Sequence, residues 1–180
     1  MSDVILAIAK QAIRDEFERT STINHASLLR DFTFLGAPKA TFVTLHLDGA
    51  LRGCIGSLIA HRSLLEDLIH NAKAAAFEDP RFYPLSQEEF QRVCIEVSLL
   101  TDPEEIIYID KEDLLSKVTT GVDGIILQKG DRKATFLPQV WEQLPTFEQF
   151  FSHLCQKAGL EASCLDAHPT IWRYRVEKVG

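Results

Sequence analysis

The stretch that decides the fold is Thr41-Phe42-Val43-Thr44-Leu45-His46-Leu47-Asp48-Gly49-Ala50-Leu51-Arg52-Gly53-Cys54-Ile55-Gly56. Residues 40–47 alternate, with Val43, Leu45 and Leu47 on one side and Phe42, Thr44 and His46 on the other, which is the period of a strand. Asp48-Gly49 suits a two-residue hairpin turn, because both turn positions need positive φ. The chain then returns as a second strand, Ala50–Leu58. In an unbroken hairpin register His46 faces Leu51 and Val43 faces Cys54. That register puts Arg52 and Cys54 with Val43 and Leu45, and His46 on the opposite side, unless a bulge at Gly53 shifts it.

Outward from the hairpin, strands and helices interleave. Residues 3–19 carry Val4, Ile5, Ile8, Ala12, Ile13 and Phe17 at helical spacing. Residues 20–39 are polar, end in Gly36-Ala37-Pro38 and read mostly as loop. Ser63-Leu64-Leu65-Glu66 is a capping box that opens a helix, and Asp79-Pro80 closes it. Ser86-Gln87-Glu88-Glu89 is a second capping box on a short helix. Residues 92–101 form a strand with Val93, Ile95, Val97 and Leu99 on one face. A short helix is predicted at 112–116, strands at 124–128 and 133–137, a helix at 146–158 and a last strand at 170–178. Antiparallel pairing mixed with helices predicts an α+β fold, with an antiparallel or mixed sheet flanked by helices.

The chain has 180 residues, enough for one domain, 1–180, or two small lobes sharing a core. Apolar residues make up 46% and charged residues 25%, an ordinary globular balance. The formal charge of -7 disfavours binding to phosphate backbones without sequence preference. The longest apolar run is six residues, Val4–Ala9, far below the roughly 20 a membrane span needs. With no basic region followed by an apolar stretch at the N-terminus, a cytoplasmic protein is expected. The four cysteines, Cys54, Cys94, Cys155 and Cys164, contain no Cys-x-x-Cys pair. They are therefore expected to be free thiols in a reducing compartment, with no metal and no cofactor.

The residues that bear chemistry centre on Arg52–Ser57. Two glycines three apart cost a strand backbone entropy and pack nothing, so they mark a bend, a bulge or a close approach. Amides near Gly53 and Gly56 can form an anion-binding concavity, and Arg52 can clamp a carboxylate or phosphate. A nearby cation favours thiolate, which makes Cys54 a candidate nucleophile or ligand. The alternative is that Cys54 is a small buried hydrophobe and the glycines shape a turn. Asp79 and Arg81, between Phe77 and Phe82, either reach the same cleft or simply end a helix. Glu96 either faces solvent or pairs with Arg52 or Arg81. His61 either approaches the cleft or is an exposed residue before the next helix; His25, His153 and His168 have no partner spacing.

These segments occur in one order: Leu51–Gly56, Ala74–Phe82, Ile95–Thr101, Gly121–Gly124, Leu137–Val140 and Cys155–Leu160. Together they resemble the AMMECR family, named for the Alport syndrome, mental retardation, midface hypoplasia and elliptocytosis chromosomal region. Leu-Arg-Gly-Cys-Ile-Gly is the hallmark of that family, and the resemblance runs from about Val4 to Val176. Tyr83 stands where many members have proline. The resemblance implies a two-lobed α+β fold with the hallmark near a cleft. It also implies association with a Memo-like protein and a radical S-adenosylmethionine protein in the AmmeMemoRadiSam system. Any iron–sulfur chemistry would lie in the radical partner, since this chain lacks Cys-x3-Cys-x2-Cys.

Three functions follow as expectations. The first is an accessory, partner-binding component working through Arg52, Gly53, Gly56 and Ser57, with Asp79, Arg81 and Glu96 nearby. The second is an enzyme with Cys54 as nucleophile, Arg52 binding a small anionic ligand, and Asp79 or Glu96 as acid–base helper. The third, nucleic-acid binding, is opposed by the charge.

Overall fold

The structure is a computed structural model and describes all 180 residues. Its helices are α1 (Ser2–Glu18), α2 (His25–Asp31), α3 (Leu64–Phe77), α4 (Gln87–Phe90), α5 (Lys111–Lys117) and α6 (Phe147–Lys157). Its strands are β1 (Thr41–Leu47), β2 (Ala50–Gly56), β3 (Cys94–Leu100), β4 (Glu104–Ile106), β5 (Gly124–Lys129), β6 (Arg132–Phe136), β7 (Thr170–Tyr174) and β8 (Val176–Val179). One four-stranded sheet has the order β2-β1-β3-β8 and the other β4-β7-β5-β6. The α+β expectation holds.

The chain divides into two compact units, residues 1–100 with 177–180, and residues 101–176. In the first unit Asp48 and Gly49 take φ of 51° and 82°, so the hairpin turn forms as predicted. Val43, Leu45 and Val97 face a core built with Ile5, Ile13, Leu65 and Leu68 of α1 and α3. Helices therefore cover one face of this sheet. The capping boxes at Ser63/Glu66 and Ser86/Glu89 are both made. In the second unit Ile125, Leu127 and Ile171 pack with Trp141, Phe150 and Leu154 of α6 and its neighbours.

Four differences from the sequence reading have physical causes. Residues 20–39 contain α2, which buries none of its residues and so shows no apolar stripe; Asn24 caps it by accepting from the Ser27 amide. The predicted strand 170–178 breaks at Arg175, and its halves serve different sheets. At that break the Thr101 amide donates to the Arg175 carbonyl (2.9 Å) and the Arg175 amide to Thr101 Oγ1 (2.8 Å), which pins the entry and exit of the second unit together. Asp15, outside the apolar positions of the first helix, is nevertheless buried at 3% exposure. Burial pushes its carboxyl up, but hydrogen bonds from Thr22, Gln11, the Thr22 amide and Thr20 outweigh that and bring it down to about 2. Finally, Cys155 and Cys164 are disulfide-bonded rather than free, because the turn after α6 brings their Cα atoms to 5.7 Å. Cys54 and Cys94 are the free cysteines.

A buried polar group ties β1 and the end of the hairpin to α3. Asp67 accepts from the Thr41 amide and hydroxyl (both 2.8 Å), Ser57 Oγ (2.7 Å) and Asn71 Nδ2 (3.0 Å), and pairs with Arg62 at 3.2 Å. Thr41, Asp67 and Asn71 are each no more than 1% exposed, so these groups have no solvent to fall back on. We expect Asp67→Ala to lower stability by about 3–5 kcal/mol, since it strips a buried network of its shared acceptor. Equilibrium urea unfolding measures this directly.

Candidate functional site: the β2 edge and its clamp

The hairpin register contains the bulge that the sequence left open. Leu45 pairs with Gly53 and His46 with Leu51, so Arg52 is the extra residue. The shift puts Cys54 opposite Thr44 rather than Val43. Cys54 therefore lies on the sheet face away from the helices, with Phe42, Thr44 and His46. The expectation that His46 sits on the other face from Cys54 is overturned for that reason.

Both glycines are needed for packing. A Cβ at Gly53 would lie 2.1 Å from the Ala75 carbonyl oxygen of α3. A Cβ at Gly56 would lie 2.2 Å from the Phe42 ring. Neither has positive φ. The expected anion-binding concavity is not formed by the amides around them, which are already engaged. The Cys54 amide donates to Asp79 Oδ2 (2.9 Å) and the Ser57 amide to the Thr41 carbonyl (2.8 Å).

Because β2 is an edge strand, its outward peptide groups have no strand to pair with. The loop after α3 supplies side chains instead. Asp79 takes the Cys54 N–H, while Arg81 Nη2 reaches the Cys54 carbonyl at 3.4 Å. The two side chains hold each other, Nε to Oδ1 at 3.0 Å and Nη2 to Oδ2 at 2.8 Å. Asp79 is 5% exposed. The Arg81 hydrogen bond, with those of the Cys54 and Arg81 amides, outweighs burial and holds its carboxyl well below the usual range.

Arg52 is held just as firmly. Its Nε and Nη2 fork onto the two oxygens of Glu89 at 3.0 and 2.9 Å, and Nη2 also donates to the Tyr83 carbonyl at 2.9 Å. Its Cζ lies 5.7 Å from the Phe82 ring centroid, and Arg81 Cζ lies 5.5 Å from the same ring. The Arg52 hydrogen bond, backed by the Ser86 amide, lowers the Glu89 carboxyl from 4.5 to about 2. Arg52 is thus a braced strut rather than an open clamp.

The Cys54 sulfur is half-buried and lies 3.2 Å from Thr44 Oγ1. Thr44 pairs in turn with Glu96 on β3. Cys54, Thr44 and Glu96 form a row across three strands on one face. Glu96 pairs with Lys178 at 3.2 Å, not with Arg52 or Arg81. His61 is exposed, its Nδ1 2.9 Å from the Ile59 carbonyl. No group of three histidine, cysteine, aspartate or glutamate side chains is arranged to hold a metal ion. Sequence reasoning missed Glu89, Thr44 and Lys178. Glu89 was visible as a capping residue, but a capping role hides a second partner 37 positions away. Thr44 was hidden by the bulge, and Lys178 by the break at Arg175.

The AMMECR1 family model matches residues 6–179. The chain belongs to the AMMECR1 family. A protein from Saccharolobus islandicus, LS215_2104, is 37% identical over 94% of this chain and 77% of its own length. A protein from Methanothermobacter thermautotrophicus is 34% identical over 96% of this chain and 90% of its own. The crystal structure of the uncharacterised protein PH0010 from Pyrococcus horikoshii superposes with a TM-score of 0.82 at 32% identity. It covers 97% of this chain and 88% of that one.

Two outcomes test the braced edge. Gly53→Ala is expected to cost about 3 kcal/mol in urea unfolding, because helix backbone cannot retreat from the added methyl as a side chain would. Glu89→Gln is expected to destabilise at pH 6. Since the folded-state carboxyl is depressed, the wild-type advantage is full above about 4.5 and fades as pH falls toward 2. Urea midpoints of both proteins between pH 6 and 2.5 should therefore converge on acidification.

Proposed function

We propose that this AMMECR1-family chain is an accessory, partner-binding protein that presents the Arg52–Ser57 edge of its first unit to another protein. The Memo-like and radical S-adenosylmethionine proteins of the AmmeMemoRadiSam system are the partners that the family resemblance suggests. The carrying observation is Tyr83. Its side chain is 90% exposed while its backbone carbonyl is tied to Arg52. A large apolar ring on braced backbone costs little entropy to dock, which is what a binding anchor needs. Leu51 at the start of β2 is 41% exposed, and Leu58 and Ile59 just past its end are 38% and 57% exposed. The neighbouring charges Arg52 and Glu89, and Asp79 and Arg81, are paired with each other.

The second reading is an enzyme with Cys54 as nucleophile, and the half-exposed sulfur beside the Thr44 hydroxyl is the observation in its favour. The absence of a base among the polar contacts of that sulfur weighs against it.

Binding of the Memo-like and radical S-adenosylmethionine proteins to immobilised wild-type and variant chains separates the two. Arg52→Ala and Tyr83→Ala are each expected to weaken capture about tenfold with circular dichroism unchanged. Full binding by both variants and by Cys54→Ala would remove the partner reading. Iodoacetamide should label Cys94, which is exposed, faster than Cys54. The reverse order would favour the nucleophile.

A further inference from the structure

The second unit carries an apolar ridge on its surface. Ile107 is 73% exposed and Ile109 85%, while Tyr108 between them is buried in the core. This alternation puts both isoleucines on the solvent side just past β4, an outer strand of its sheet. The backbone beneath them is fixed. Lys117 Nζ donates to the Ile107 carbonyl (2.7 Å), the Ile109 amide donates to Asp113 Oδ2 (2.9 Å), and Lys117 and Asp113 pair with each other at 3.0 Å. The Tyr108 hydroxyl donates to the Pro169 carbonyl, and its ring stacks on His168 at 4.2 Å. A ridge held this way loses little freedom on docking.

A socket lies beside the ridge. A cavity of about 160 Å³ is lined by Leu115 of α5, Phe147 and Phe151 of α6, and Ala162 beyond it. A cavity of roughly 150 Å³ takes up a benzene-sized hydrocarbon, so this one has room for the side chain of one isoleucine. Ridge and socket meet at the first turn of α5, where Asp113 holds the Ile109 amide and Glu112 lines the cavity. Their charges are opposite. Glu112 and Glu148 line the socket and form no ion pair within the chain, whereas Lys111, also at the cavity, is committed to Asp166 at 2.8 Å. Lys117 stands at the foot of Ile107 with one of its three ammonium protons unspent.

We propose that this surface pairs with a second copy of the chain, Ile109 of each copy entering the cavity of the other with Ile107 packed at its rim. Two-fold symmetry makes such a contact self-complementary, since a patch that carries both ridge and socket finds both on its partner. Burying the isoleucines removes apolar surface from water on both copies. Lys117 of one copy then faces Glu112 and Glu148 of the other, which sets the register of the contact more than its strength. Each copy contributes only one ridge and one socket, so the dimer is reversible rather than obligate. All of these residues belong to the second unit, and the contact is independent of the β2 edge.

Sedimentation equilibrium of the full chain between about 10 μM and about 1 mM reads the association. The expected result is a monomer–dimer equilibrium within that range. Ile109→Asp, which brings a carboxylate to Glu112 and Glu148, and Ala162→Trp, which fills the socket, should each weaken the dimer at least about tenfold with circular dichroism unchanged. Leu29→Asp, the same kind of change at an exposed leucine of the first unit, should leave it as it was. In a mixture of isotope-labelled and unlabelled protein, isotope-filtered NOEs should run from the Ile109 methyls of one copy to the Phe147 or Phe151 ring of another. A monomer at every concentration overturns the proposal. So does a dimer that survives Ile109→Asp, one that Leu29→Asp disrupts equally, or one whose intermolecular NOEs arise elsewhere.

Discussion

The first unit depends on how closely α3 can lie on β2. At Gly53 the Ala75 carbonyl comes near enough that only a hydrogen fits. That contact fixes the height of the helix above the sheet and the point where α3 ends. It therefore sets where the Asp79-Pro80-Arg81 loop meets the strand edge. The clamp on the Cys54 peptide and the brace on Arg52 both follow from a helix seated this low. A methyl group here would displace backbone rather than a side chain, so the constraint is rigid.

The ion pairs of this region are better understood as specifying the edge than as stabilising it. Taking Asp79 and most of Arg52 out of water is costly, and their partners largely offset that cost. What the pairs add is directionality. Asp79 and Arg81 offer one acceptor and one donor at the spacing of a peptide group, and so imitate a neighbouring strand for a single residue. The clamp thereby removes an open edge that would otherwise invite another strand.

Much of this was legible from residues alone. The Asp48-Gly49 turn, both capping boxes and the strand at 92–101 are local features, and each local preference agrees with the fold. The glycines of Leu51–Gly56 serve packing rather than an amide cradle. The failures were non-local. A bulge at Arg52 has no strong local code, yet it reverses which side chains share a face with Cys54. The Arg52–Glu89 fork spans two elements that look unrelated in sequence. α2 escaped because a seven-residue helix with no fully buried residue carries no periodic pattern. The Cys155–Cys164 bond escaped because pairing depends on the turn after α6 and not on a spacing motif.

The break at Arg175 makes the second unit an insertion within the first. The fourth strand of the first sheet, β8, is translated only after all of residues 101–176 have emerged. Until then that sheet has a raw margin at β3, and it can be finished only by chain that has travelled through another folding body. The paired hydrogen bonds between Thr101 and Arg175 shorten that detour by gathering its two ends, so the entropy of closing a long excursion is met within the inserted unit.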